Sequence, residues 1–249
     1  GAIFAYDDNN SEDLSISSST FEDNGAALSG GALYIHGMDS VVISETVINN
    51  ITASTLGSSS MYYGGAGNFY DLREVTITNV GACGNAADYA GGFYMELIAD
   101  VTLKNVAMVE NDATQDGGNS YIFDVGDIVM ENSTFVGASG GNLYFSKTAV
   151  TFTNNVVAYT ADTYGVYAAD AATDSDSDFT YNDWYDNGTA DTDGYFSFST
   201  TASGNITDAP GFSDYSADGD CDNDDLTPDT GSALIDAGDP SIFDPDGSN

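Results

Sequence analysis

The chain has 249 residues, 41% of them hydrophobic and 12% aromatic, with 28 glycines and four prolines, which is enough apolar material to bury a core. Three Lys and Arg against 40 Asp and Glu give a net charge of -37. Nucleic acid is thereby excluded as a partner, since phosphate binding rests on many basic contacts, and an anionic membrane surface is disfavoured for the same reason. No apolar run approaches the length of a bilayer span, so no membrane insertion is expected. Self-repulsion on this scale opposes compaction unless it is screened or neutralised. That points to a salt-rich medium or one supplying divalent cations, outside the cell.

In chain order, Gly1-Ala2-Ile3-Phe4 reads like the second half of a glycine doublet and its strand, which suggests a piece excised from a longer solenoid. An acidic insertion, Asp7 to Asp13, precedes the apolar pair Leu14/Ile16. Glycine doublets then recur at Gly30-Gly31, Gly64-Gly65, Gly91-Gly92, Gly117-Gly118 and Gly140-Gly141. About a dozen residues after each comes an apolar-x-apolar triplet: Val41/Ile43, Val75/Ile77, Val101/Leu103, Ile128/Met130 and Val150/Phe152, with Phe179/Tyr181 following. A repeat of this length marks a solenoid, and the alternation within each triplet marks a strand with one buried face. A second apolar column follows five residues later, at Phe21, Ile48, Ala82, Met108, Phe135 and Val157.

Between the two columns stand Asn79, Asn105, Asn132 and Asn154. Asparagine tolerates left-handed backbone angles, and its amide can bond its own copy one turn away, so these residues are expected at corners. Aromatic residues at the third position after the doublets, Tyr34, Tyr121 and Tyr144, with Phe4 in the same place, predict a ladder along one sheet. Such a ladder would stabilise the strands or offer a platform for sugars. The segment from Thr52 to Tyr63 reads as an inserted loop. The rungs are expected over 1–172, and a last rung with a capping segment over 173–249, within the same domain. The two cysteines, Cys83 and Cys221, are too few for a disulfide scaffold or a zinc site. One disulfide between them is compatible with an oxidising compartment.

The succession Tyr181-Asn182-Asp183-Trp184, then Asn205 to Phe212, then Gly231 to Pro240 and Asp244 to Ser248 resembles the C-terminal end of secreted bacterial and archaeal right-handed parallel β-helix repeat proteins. The upstream Gly-Gly-Ala-Leu-Tyr and Gly-Gly-Phe-Tyr stretches are similar to the rungs of the same proteins. The resemblance implies an all-β, right-handed parallel β-helix of about seven rungs with an irregular C-terminal cap, and an extracellular or cell-surface location. It is nearly silent on activity, because the same coil hosts lyases, hydrolases, tailspikes and adhesins.

Polysaccharide cleavage, a reaction this fold often hosts, makes specific demands on residue types. Elimination needs a base and a cation near a uronate, but Arg73, Lys104, Lys147 and His36 share no column of the repeat. Hydrolysis would use paired carboxylates, which are too abundant here to be informative. The acidic loop Asp218, Asp220, Asp222, Asp224 alternates carboxylates around Gly219, a pattern that suits Ca²⁺, with Asp174 to Asp178 a weaker case of the same kind. Sequons at Asn50, Asn132, Asn187 and Asn205 matter only if the host glycosylates. The expected function is a non-catalytic structural or adhesive module of an exported surface or fibre protein, with glycans, another cell surface or copies of itself as partners. A polysaccharide-active enzyme or a carbohydrate-binding β-helix is the rival reading.

Overall fold

Successive apolar triplets stack directly on one another. Ile16, Ile43, Ile77, Leu103, Met130, Phe152 and Phe179 are consecutive parallel register partners. Five of them, from Ile43 to Phe152, are wholly buried. The second column also holds, running Phe21, Ile48, Ala82, Met108, Phe135, Val157 and on to Trp184. Each buried side chain of this size contributes about 1.5–3 kcal/mol relative to exposure, so a file of seven is a substantial spine. The structure, a computed structural model, describes residues 1–53, 61–161 and 163–242, and only the backbone of Asp174 and Asp222. It is an all-β parallel solenoid of about seven turns.

Each regular turn has three faces. The first carries Ile3–Tyr6, Leu33–His36, the openings of the long strands Gly67–Cys83, Phe93–Val109 and Ser120–Glu131, then Leu143–Ser146, Tyr164–Ala168 and Ala190–Gly194. The second holds the triplets. The third holds the second column, at 80–83, 106–109, Thr134–Val136, Val156–Ala158 and Asp183–Tyr185. A short fourth ladder of two-residue strands, from Gly25–Ala26 to Asp112–Ala113, closes the earlier turns.

Single left-handed residues make the corners, which is why a 17-residue strand such as Phe93–Val109 can wrap three faces without a loop. Asn79, Asn105, Asn132 and Asn154 have φ between 51° and 58°, as expected. Their amides bond in file: Asn105 Nδ2 donates to Asn79 Oδ1 at 2.8 Å, and Asn154 Nδ2 to Asn132 Oδ1 at 3.1 Å. The glycine doublets divide two tasks. The first, as at Gly30, takes the left-handed corner, and the second, as at Gly31, lets its backbone lie against that of Gly65 one turn on, where a Cβ would collide.

Two expectations need correction, and the cap can be described more finely. The doublet of the fourth turn is offset by one residue: Phe93 pairs with Gly67 and Ser120, so Ala90 (φ 54°) takes the corner that glycine fills elsewhere. Phe179 pairs with Phe152, so it fills the second triplet position, not the first, and Tyr181 is the left-handed corner after it. The expected cap is divided in two. Phe196 and Phe198 close the end of the core over Phe179 and Trp184, with Phe198 stacked on Phe179 at 4.0 Å. The rest turns back. Phe212–Asp214 and Asp225–Pro228 form an antiparallel pair, and Phe212, Tyr215, Leu226 and Leu234 pack on Val109, Val136, Val156 and Ala158 of the third face. A disulfide, Cys83–Cys221, ties this arm to the third turn.

The reason lies in the third face itself. Val109, Val136 and Val156 sit on its outward side and are apolar, so an uncovered flank would leave a hydrophobic stripe in water. Of the Thr52 to Tyr63 insertion, Thr52–Ala53 forms a strand and Tyr62 packs with Ala53 and Ala87, while 54–60 lies outside the described residues.

Candidate functional site

Two surfaces qualify: the aromatic first face and the flank beneath the C-terminal arm. On the first face, alternation sends Leu33, Phe69, Met95, Ile122 and Phe145 variously into the core and their neighbours outward. The outward file runs Phe4, Tyr34, Asn68, Tyr94, Tyr121, Tyr144 and Tyr167 in register, interrupted only at Asn68. Tyr94 belongs to it and was missed in the sequence because of the offset doublet. Ring centroids are 5.4, 4.2 and 5.2 Å apart along Tyr94, Tyr121, Tyr144 and Tyr167, with planes within 16° of parallel. The ring faces are therefore turned to each other. What the ladder presents outward is edges and hydroxyls, which favours strand stabilisation over a sugar-stacking platform.

The scarce cations are dispersed and engaged. Arg73 bonds Asp39 at 2.9 Å, Lys104 bonds Glu131 at 2.7 Å, and the Lys147 ammonium lies 4.7 Å over the Phe123 ring. His36 stands on the first face between the rings of Tyr6 and Tyr70, 3.8 Å from Asp71. The structure brings no two of these four together.

The acidic loop is placed by the disulfide. Asp218 accepts from the Asp220 N–H at 2.9 Å and from Asn223 Nδ2 at 3.1 Å, contacts that hold its carboxyl below the usual range. Asp220 is exposed, and the side chain of Asp222 lies outside the described residues. Asp224 points elsewhere: Oδ1 accepts from Ser216 N at 2.8 Å, and an oxygen of Asp224, one of Glu110 and Cys221 Sγ lie within 4.8 Å of one another. Since Cys221 is in the disulfide, two carboxylates remain there that could hold a cation, Glu110 being one that sequence spacing did not reveal. Burial pushes the Glu110 carboxyl up, the Gly219 N–H opposes, and the charges of Asp224 and Asp218 add to the rise. The Asp174 to Asp178 stretch is taken up by the helix Ala171–Ser175 and the start of strand Asp178–Thr180.

Further along the arm, a cavity of about 610 Å³ separates it from the solenoid. Asn154, Val156 and Asp183 line one side; Phe212, Leu234 and Asp239 line the other. Asp183 alternates with the core residue Trp184, so it points off the third face into this space. It is 2% exposed, and among the described residues neither carboxyl oxygen has a hydrogen-bond partner. Burial raises its pKa to about 7, with the charge of Asp208 adding to the rise, the Trp184 N–H opposing, and Asp191 adding again.

Two buried amide files went unread in the sequence. In one, Asn155, Asn182 and Asn205 donate to the carbonyls of Met130, Phe152 and Phe179 while each accepts from the backbone of the turn before. In the other, Asn85, Asn111, Asn119 and Asn142 are fully buried and linked amide to amide. The signal was there: in Asn154-Asn155 and Tyr181-Asn182 the residue after the corner is an asparagine. Sequons Asn187 and Asn205 thus belong to the interior, whereas Asn50 is exposed.

Comparison of the chain with family models, curated proteins and solved structures finds no match. The class is accordingly the one the fold defines: a parallel β-solenoid with a disulfide-tied flank.

Proposed function

We propose that this chain is a non-catalytic structural module of an exported surface or fibre protein, a stiff rod whose loops and faces contact glycans, another cell surface or further copies of itself. The observation that carries this reading is the in-register stacking of two apolar files, an aromatic file and buried amide files along the same coil. Side chains that in an enzyme would converge on a substrate are here spent on their own copies one turn away. The dispersal of Arg73, Lys104, Lys147 and His36 fits the same reading. The disulfide and the net charge of -37 fit an oxidising, salt-rich setting outside the cell.

Charge also sorts the partners. A surface this acidic repels uronate-rich polymers, so neutral glycans or cationic surfaces are the expected ligands. Self-assembly with further copies of the chain is the other arm. The test is to incubate the purified chain with neutral and uronate polysaccharides, following binding and release of reducing or unsaturated ends, with light scattering alongside. Binding or association without product is expected. Product release would give the rival polysaccharide-active reading, and a monomer that binds nothing would remove the adhesive one.

A further inference from the structure

The arm and the flank meet over buried carboxyls. Glu110 lies under the segment at Gly219 and Asp224, and Asp183 lies under the segment from Leu226 to Asp239. Around Asp183 stand Asp208 from the segment after Ile206, Asp191 from the strand Ala190–Gly194, Tyr159 from the corner below, and Asp236 and Asp239 in the arm. Around Glu110 stand Asp218, Asp224 and Tyr215. Every one is acidic or phenolic. Arg73, Lys104, Lys147 and His36 are engaged on other parts of the coil, and the terminal ammonium of Gly1 donates to Gly25 O. No cation among the described residues faces either carboxyl.

Burying an ionised carboxylate without a partner is among the most unfavourable things a fold can do, so such a group keeps its proton or stays wet. Both are open to Asp183, because what covers it is not part of the coil. The arm's strands pair only with each other among the described residues. It is fastened by the Cys83–Cys221 disulfide, by apolar contacts and by bonds such as Asp239 N to Asn154 Oδ1 at 2.7 Å.

We infer that the arm, residues 212–242, is an acid-closed strap: it rests on the third face while the Asp183 carboxyl beneath it is protonated, and lifts beyond its tether at Cys221 as that carboxyl ionises. Lifting uncovers the apolar stripe at Val136, Val156 and Ala158, which the closed arm hides. The direction follows from the proton count. With the arm down, Asp183 holds its proton up to about pH 7, whereas a free aspartate loses it near 3.8. Between those values each pH unit weakens docking by at most tenfold, and above the upper value the loss levels off; Asp208, Asp191 and the coil stay beside Asp183 when the arm lifts, so the total falls short of a thousandfold.

The experiment is hydrogen exchange of the intact, disulfide-bonded chain from pH 4.5 to 8.5, with rates corrected for the intrinsic pH dependence. Peptides covering 225–242 should lose protection by at least about tenfold on that scale, levelling near pH 7, while peptides from Phe93–Val109 keep theirs. Asp183→Asn, which removes the charge and keeps the shape, should flatten most of the arm's profile. A wild-type arm whose protection is level across the range overturns the strap, as does an Asp183→Asn arm that loosens as the wild type does. Should that variant not fold, the wild-type curve decides: levelling below pH 5, the ordinary range of an exposed carboxylate, overturns it.

Discussion

The turns from Gly67 to Val109 and the arm from Phe212 to Ile242 are joined by a disulfide, yet they are held by different physics. Gly67–Cys83 and Phe93–Val109 exchange backbone bonds along almost their whole length, with Ile77 on Leu103 and Ala82 on Met108 behind them. The arm has a two-stranded sheet of its own and rests on the third face through Phe212, Tyr215, Leu226 and Leu234. A turn cannot leave without breaking two ladders. The arm can leave by giving up apolar contacts and a few hydrogen bonds. The lesson is that repetition makes one region stiff, while the segment that protects its flank stays separable and therefore available to regulate.

The contrast predicts a graded set of responses. Phe152→Ala, which empties a fully buried place between Met130 and Phe179, should destabilise the coil by about 3–5 kcal/mol, read from denaturant unfolding. A loss below about 1 kcal/mol would mean that the file is not close-packed. Asn111→Ala leaves Asn85 Nδ2, the Asn119 amide oxygen and the Ala82 carbonyl without their partner, and should follow at about 2–4 kcal/mol. Cys221→Ser acts on the other region. It should loosen the arm by about 2 kcal/mol or more, seen as faster exchange across 212–242, and leave the unfolding midpoint of the turns nearly unchanged. Equal loosening of Phe93–Val109 would show that arm and coil form one cooperative unit. The smallest effect belongs to Ca²⁺: titrated into chelator-treated protein, it should raise the melting temperature through Glu110 and Asp224, and an unmoved melting curve would remove the cation.

Much of the coil was legible from residues alone. Ile43, Ile77, Leu103, Met130 and Phe152 announced their common file because a strand's period of two and the solenoid's turn length both show in sequence. Asn79 and its copies announced corners because few residues accept that backbone angle. Where a corner is filled against preference, as by Ala90, the glycine doublet no longer marks the register, and Tyr94 is not legible as a member of the aromatic ladder it joins. Asn155, Asn182 and Asn205 were harder still, since an asparagine one place past a corner differs from one at it only by pointing inward.

The sequence by itself determined the coil, its two apolar files and its acidic character, because each is a local pattern repeated at a spacing that chain geometry dictates. Tertiary structure alone decided that the C-terminal segment folds back over the third face, that Cys83 meets Cys221 across 138 residues, and that Asp183 and Glu110 come to lie beneath it. Those are contacts between parts of the chain that share no period. Their partners are chosen by which surface would otherwise stay apolar and wet, and no spacing along the chain records that choice.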